Sequence, residues 1–116
     1  MLDDIRGLLE PEFDVVGAVG DGQSLISAAD TFQPDVIVTD TSMPRMNGIE
    51  AARLIIQKNP TSRIVLLTAY KDSALLEQGL SVGALGYVLK LKADEELSLA
   101  IHSALEDKRF VSPGVS

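Results

Sequence analysis

The stretch PDVIVTDTSMPRMNGIEAARL, which covers residues 34–54, decides the fold of this chain. Apolar β-branched residues fill positions 36–38 and lead into Asp40, as expected of a parallel strand covered on both faces. A polar loop with proline and glycine follows, and Asn47 is then predicted to cap an amphipathic helix. Strand, loop and helix in this order predict one unit of an α/β sheet, with a carboxylate where the strand ends.

The same alternation recurs on both sides of this stretch. Strands are predicted at residues 13–19, 64–67 and 87–89, and helices at residues 23–32, 73–80 and 94–105. Such alternation predicts parallel strands with helices on both faces of the sheet. Residues 1–107 are therefore expected to form one domain. The segment 108–116 loses the periodicity and is predicted to begin a linker to an output domain that the chain lacks.

The composition excludes several classes of function. The 116 residues suffice for a single core, and the absence of cysteine excludes disulfides and thiolate metal ligands. The formal net charge of −7 argues against direct binding of nucleic acid, because phosphate contacts need a basic face. Since no apolar run is long enough for a bilayer and no signal peptide is recognisable, we expect no membrane association and a cytoplasmic location.

Three polar side chains fall where predicted strands end. Asp40 ends one strand, Thr68 ends the next, and Lys90 follows the last. Sites in open parallel sheets form outside the carboxyl ends of the strands, so we expect these three groups at one edge. Singly, each has a structural explanation: an aspartate in a turn, a threonine as a strand former, a lysine in solvent. Their occurrence at three consecutive strand ends favours a functional site.

Three segments, DVIVTDTSMPRMNGIE, IVLLTAY and GALGYVLK, together resemble the receiver domain of two-component response regulators of the LuxR/NarL type. The resemblance implies a flavodoxin-like parallel sheet. It also implies that Asp40 is the phosphoacceptor, that Thr68 is the switch hydroxyl and that Lys90 pairs with the phosphate. Tyr87 becomes the switch aromatic. Mg²⁺ is the cofactor expected for the family, held by Asp40 and by the backbone carbonyl of Ser42.

The resemblance implies partners as well. A histidine kinase would phosphorylate Asp40, and DNA would be reached only through an output domain beyond residue 116. The leading hypothesis is a signalling switch that is not an enzyme. Two alternatives stay open: a phosphorylation-independent interaction or dimerisation module, and a small α/β enzyme that uses Asp40 and Lys90 on a metabolite. The enzyme is disfavoured because no glycine-rich phosphate loop or nucleophile elbow occurs.

The start of the chain departs from the receiver pattern. A receiver opens with a strand that ends in an acidic pair holding Mg²⁺, whereas MLDDIRGLLEPEFDVVG matches a later part of the receiver, from the latter half of the first helix onward. Asp3 and Asp4 are expected in a helical turn, where acidic residues suit the helix dipole, and not in the metal site. We therefore expect the first strand and the acidic pair to be missing, and Mg²⁺ to bind weakly or not at all.

The expected absence of the first strand has a consequence for the oligomeric state of the chain. In the strand order 2-1-3-4-5 the first strand is central, so its absence bares an apolar edge of the strand before Asp40. The second and third strands could close together, a segment could be swapped between chains, or two chains could pair. We expect pairing between chains, in a homodimer or higher oligomer.

Overall fold

The structure is a computed structural model that describes residues 7–15, 17, 19, 21–42, 47–69 and 71–113. Within these residues one parallel sheet has its strands in sequence order, each paired with the next. The strands are β1 (Ile37–Asp40), β2 (Ile64–Thr68), β3 (Gly86–Leu89) and β4 (Phe110–Val111). The carboxyl ends of all four strands therefore lie at the same edge of the sheet.

Besides a helical stretch at residues 7–9, the described residues form four helices and one 3-10 turn. The helices are α1 (Gly22–Phe32), α2 (Gly48–Lys58), α3 (Ser73–Ser81) and α4 (Ala93–Leu105), and the 3-10 turn is Lys90–Lys92. The side chains of Asp21, Asn47 and Asp72 cap the first three by accepting backbone N–H bonds. No helix in the described part of the chain is both long and apolar enough to cross a membrane.

Apolar side chains cover the sheet on both faces, as the continuous strand pattern predicts. All five residues of β2 are buried, and the four apolar ones alternate between two clusters. The first cluster, on the side of α1, α2 and α3, contains Ile37, Ile49, Ala52, Ile55, Ile64, Leu66, Ala84 and Tyr87. The second, on the side of α4, contains Val65, Leu67, Val88, Ala93, Leu97, Ala100, Ile101 and Ala104. The predicted α/β sheet with helices on both faces is confirmed.

The strand predicted at residues 13–19 is wrong for the residues that the structure describes there. Residues 13–15, 17 and 19 belong to no strand. A strand needs a neighbour for its backbone hydrogen bonds, and among the described residues no strand lies beyond β1 on the side away from β2. Phe13 packs instead against the α4 cluster, and Glu12 contacts the side chains of Ser98 and His102 on α4.

The short strand β4 was not predicted. Its two residues are too few to show an alternating pattern, yet Phe110 N–H donates to Leu85 O and Ser112 N–H donates to Tyr87 O, both at 2.9 Å. The first part of the predicted linker, up to Ser112, is thus packed against the sheet. The point at which a linker begins stays a prediction.

Candidate functional site

Asp40 is the last residue of β1 and stands at the carboxyl edge of the sheet. Its Cα pairs with Leu67 of β2, and the next residue, Thr41, continues the ladder by donating its N–H to Leu67 O at 2.9 Å. Thr39 and Thr41 are buried on either side of it, while the Asp40 side chain keeps 22% of its surface exposed. A carboxylate is therefore held on a rigid strand end with one side open to solvent.

Lys90 reaches the same carboxylate from the 3-10 turn that directly follows β3. Its Nζ lies 3.3 Å from Asp40 Oδ2, and its side chain is 30% exposed. Since β2 separates β1 from β3, the two backbones are about 10 Å apart, two inter-strand spacings. The long lysine stem spans that gap across the end of β2. The structure thus brings Asp40 and Lys90 together as expected, and their chemical roles stay predictions.

Thr68 ends β2, the strand between the other two. It is fully buried, and its Cα pairs with Leu89, the residue before Lys90. By the alternation of β2 it lies on the face of Leu66, toward the first core cluster. Thr68 therefore ends the strand that separates Asp40 from Lys90, on the face of the sheet that packs under α3.

Tyr87 is fully buried in that cluster, at the middle of β3. Burial raises the pKa of its hydroxyl; the nearby Thr68 side chain acts in the opposite direction, and the charge of Asp72 raises the pKa further. The hydroxyl nevertheless makes no hydrogen bond of ordinary geometry to a described residue. The influence of Asp72, the N-cap of α3, was not foreseen from the sequence, where it shows only as a capping signal. The predicted switch aromatic is thus turned into the core, on the same side of the sheet as Thr68.

The start of α2 presses against the backbone of Asp40. Gly48 N–H donates to Thr41 O at 3.0 Å, and a side-chain carbon added to Gly48 would lie 1.7 Å from Asp40 O. Only glycine allows this approach. Asn47 holds the helix start by accepting the N–H of Glu50 at 2.8 Å. Ser42 is exposed just after β1, and residues 43–46 lie outside the described part.

The fold and this edge define a receiver domain. The chain belongs to the response regulator receiver domain family, whose family model matches residues 1–102. Its relatives are response regulators of the NarL/LuxR type. The prediction made from three segments is confirmed, and so is the flavodoxin-like fold.

The individual comparisons agree with this assignment. The uncharacterized transcriptional regulatory protein YxjL from Bacillus subtilis (strain 168) is 41% identical over 95 residues, which cover 82% of this chain and 44% of YxjL. The crystal structure of a LuxR-family two-component response regulator from Aurantimonas sp. SI85-9A1 matches this chain with a TM-score of 0.93. The two sequences are 32% identical, and the match covers 97% of this chain and 82% of that one. The chain spans about half the length of the curated relatives it matches.

A third similar protein is RcsB. Its isolated receiver domain from Salmonella enterica serovar Typhimurium, solved with the phosphomimetic BeF₃⁻, is 31% identical and has a TM-score of 0.87, covering 98% of this chain and 86% of that one. Another RcsB structure contains two dimers bound to two parallel DNAs.

Receiver domains generally bind Mg²⁺ at the phosphorylation site. The ion takes near-octahedral oxygen ligands, with one or two carboxylates among them. In the part of the chain that the structure describes, no three acidic or histidine side chains are grouped to hold a metal. The described carboxylate at this edge, Asp40, is paired with Lys90. These residues by themselves do not fit a complete Mg²⁺ site, and Asp3 and Asp4 lie outside the described residues.

Proposed function

We propose that this domain is a phosphorylation-controlled signalling switch in which a histidine kinase transfers a phosphoryl group to Asp40. The observation that carries the proposal is the 3.3 Å separation between Lys90 Nζ and Asp40 Oδ2 at an exposed sheet edge. Family membership supports it, because receiver domains interact with histidine kinases. The output that we propose is transcription, since the curated relatives are mostly transcriptional regulators.

The transfer is a displacement at phosphorus. An oxygen of the Asp40 carboxylate forms a bond to the phosphorus of a phosphohistidine as the P–N bond breaks. The electron pair of that bond leaves with the imidazole, which takes a proton from solvent, and Asp40 becomes an acyl phosphate. Lys90 places an ammonium where negative charge develops on the phosphoryl oxygens, which favours the transition state over the ground state.

The change in state passes through Thr68 and Tyr87. A phosphate on Asp40 adds strong acceptor oxygens at the end of β1, next to the strand that ends in Thr68. A shift of the Thr68 side chain toward the phosphate alters the space beside the Tyr87 ring. Because that ring is packed under α3, its position links the site to the outer surface of β3 and α3.

Contact with DNA is proposed for an output domain and not for this domain. The formal net charge of −7 opposes the approach of phosphates. RcsB, 31% identical to this chain, is found as dimers on DNA, and this chain spans only about half of its curated relatives. A bacterial transcription switch of this type acts in the cytoplasm, which is the location we propose.

A second candidate is an interaction module that works without phosphorylation. Two observations favour it: β1 is an edge strand of the described sheet, and no three acidic or histidine side chains of the described residues are grouped to hold a metal. In this case the function would lie in the pairing of two copies, and Asp40 would have a structural role.

The two candidates are separated by incubation with phosphoramidate and Mg²⁺, followed by intact-mass measurement. The switch predicts the gain of one phosphoryl group, which is absent from Asp40→Asn. The interaction module predicts no gain in either protein. A gain of equal size in Asp40→Asn would refute the assignment of Asp40.

A further inference from the structure

Ser112 lies directly after β4 and is fully buried. Its Oγ accepts the N–H of Leu89 at 3.0 Å and donates to a carboxylate oxygen of Glu96. Its own N–H donates to Tyr87 O at 2.9 Å. One small residue outside the three site-bearing strands therefore holds two backbone groups of β3 and one side chain of α4.

The two hydrogen-bond partners of the Ser112 hydroxyl lie before and after the 3-10 turn that contains Lys90. Leu89 is the residue before Lys90, and Glu96 lies in the first turn of α4, just beyond the 3-10 turn. A hydroxyl can accept one hydrogen bond and donate another at the same time, which alanine cannot do. The Ser112 hydroxyl thus links the residue before the Lys90 turn to the first helical turn after it.

The side chain at the centre of the turn makes little contact with the rest of the domain. Leu91 at its centre is 89% exposed, so packing does not hold it. Neither the 3-10 turn nor the start of α4 has a side-chain capping hydrogen bond. A lysine has a flexible stem, and the position of its ammonium depends on where its backbone is anchored. The hydrogen bonds of Ser112 therefore act together with the burial of Leu89 and Ala93, on either side of the turn, to set that backbone.

We propose that Ser112 and Glu96 are positioning residues for Lys90: they fix the turn that directs its ammonium toward Asp40. This inference rests on the proposed function of the Asp40–Lys90 pair. It also makes the segment after α4 part of the site, because a displacement of Ser112 frees the residue next to Lys90. A change at Asp40 is then transmitted to the segment after α4 through the same two hydrogen bonds.

The test uses Ser112→Ala and Glu96→Ala to break the contact, and Glu96→Gln to keep an acceptor for the hydroxyl. Ser98→Ala is the matched control, since this α4 hydroxyl donates to Glu12 at 2.6 Å and lies outside the turn. The first measurement is the NMR shift of the Asp40 carboxyl carbon, which senses the ammonium and needs no phosphorylation. The second is the rate of Asp40 phosphorylation by phosphoramidate, measured alone and in a Lys90→Ala background.

We expect Ser112→Ala and Glu96→Ala to move the Asp40 carboxyl shift toward its value in Lys90→Ala, with Glu96→Gln and Ser98→Ala close to the parent. The phosphorylation rate should fall about tenfold in the first two variants, the effect of one lost hydrogen bond. It should not fall further when they are added to Lys90→Ala. If no variant phosphorylates and neither does the parent chain, the proposed function fails while the carboxyl shift still decides the positioning role. An unchanged carboxyl shift, or a rate loss that adds in full to that of Lys90→Ala, would overturn the inference.

Discussion

Asp40 and Lys90 form an ion pair that matters for chemistry more than for stability. Both side chains are partly exposed, at 22% and 30%, and such pairs contribute about 0–1 kcal/mol to folding. During phosphoryl transfer, negative charge that is absent from the ground state develops on the phosphoryl oxygens, and the same ammonium stabilises it. Lys90→Ala should therefore slow phosphorylation by about a hundredfold and leave the free energy of unfolding nearly unchanged. Rate measurement by intact mass, with urea unfolding beside it, checks both; equal rates in the two proteins would contradict the role of Lys90.

Gly48 is the residue whose replacement should disturb the site through the backbone. A Cβ there would lie 1.7 Å from Asp40 O, so either α2 or the end of β1 must move. We expect Gly48→Ala to lower the free energy of unfolding by about 2–3 kcal/mol. Gly7→Ala is the control, because nothing lies within 4 Å of a Cβ at Gly7. Urea unfolding in which both variants match the parent would show that α2 does not press on Asp40.

The helices and the buried strands could be predicted because each follows from local pattern. Asn47 caps α2 as expected, and the continuous apolar run of β2 matches its burial on both faces. The convergence of Asp40 and Lys90 followed from parallel strands ending at one edge. The strand at residues 13–19 could not be judged locally, since a strand exists only beside a neighbour. The Ser112 contacts were hidden because a single serine after the last helix has no periodic signal.

The contact that Glu12 makes with Ser98 and His102 of α4 is expected to depend on pH. The hydrogen bond with His102 lowers the pKa of Glu12 most, that from Ser98 adds to it, and burial opposes both. A carboxylate with a lowered folded-state pKa contributes stability above its unfolded value of 4.5 and loses it as the pH falls through the folded value. Glu12→Gln should thus reduce stability at about pH 6 and reduce it less at about pH 3. Urea midpoints at the two pH values test this, and an equal effect at both would count against it.

In the described part of the chain, β1 is an edge strand of the sheet. β1 pairs with β2, and no strand of the described residues lies on its other side, although Ile37 in it is buried. Within the described residues β1 is therefore an edge strand, and an edge strand can pair with the same strand of a second copy. We expect this 116-residue chain to scatter light as a dimer or larger species at micromolar concentration. Its urea midpoint should then rise with protein concentration. A monomer whose midpoint is independent of concentration would rule out pairing between chains.

Phosphorylation of Asp40 can be located directly on the chain. An acyl phosphate is reduced by borohydride to the alcohol, which converts a phosphorylated aspartate into homoserine and marks its position in a peptide mass spectrum. After treatment with phosphoramidate and Mg²⁺ and then borohydride, we expect homoserine at position 40 in the parent chain and much less homoserine there in Lys90→Ala. Homoserine at another position, or at no position while the protein remains folded, would show that Asp40 does not receive the phosphoryl group.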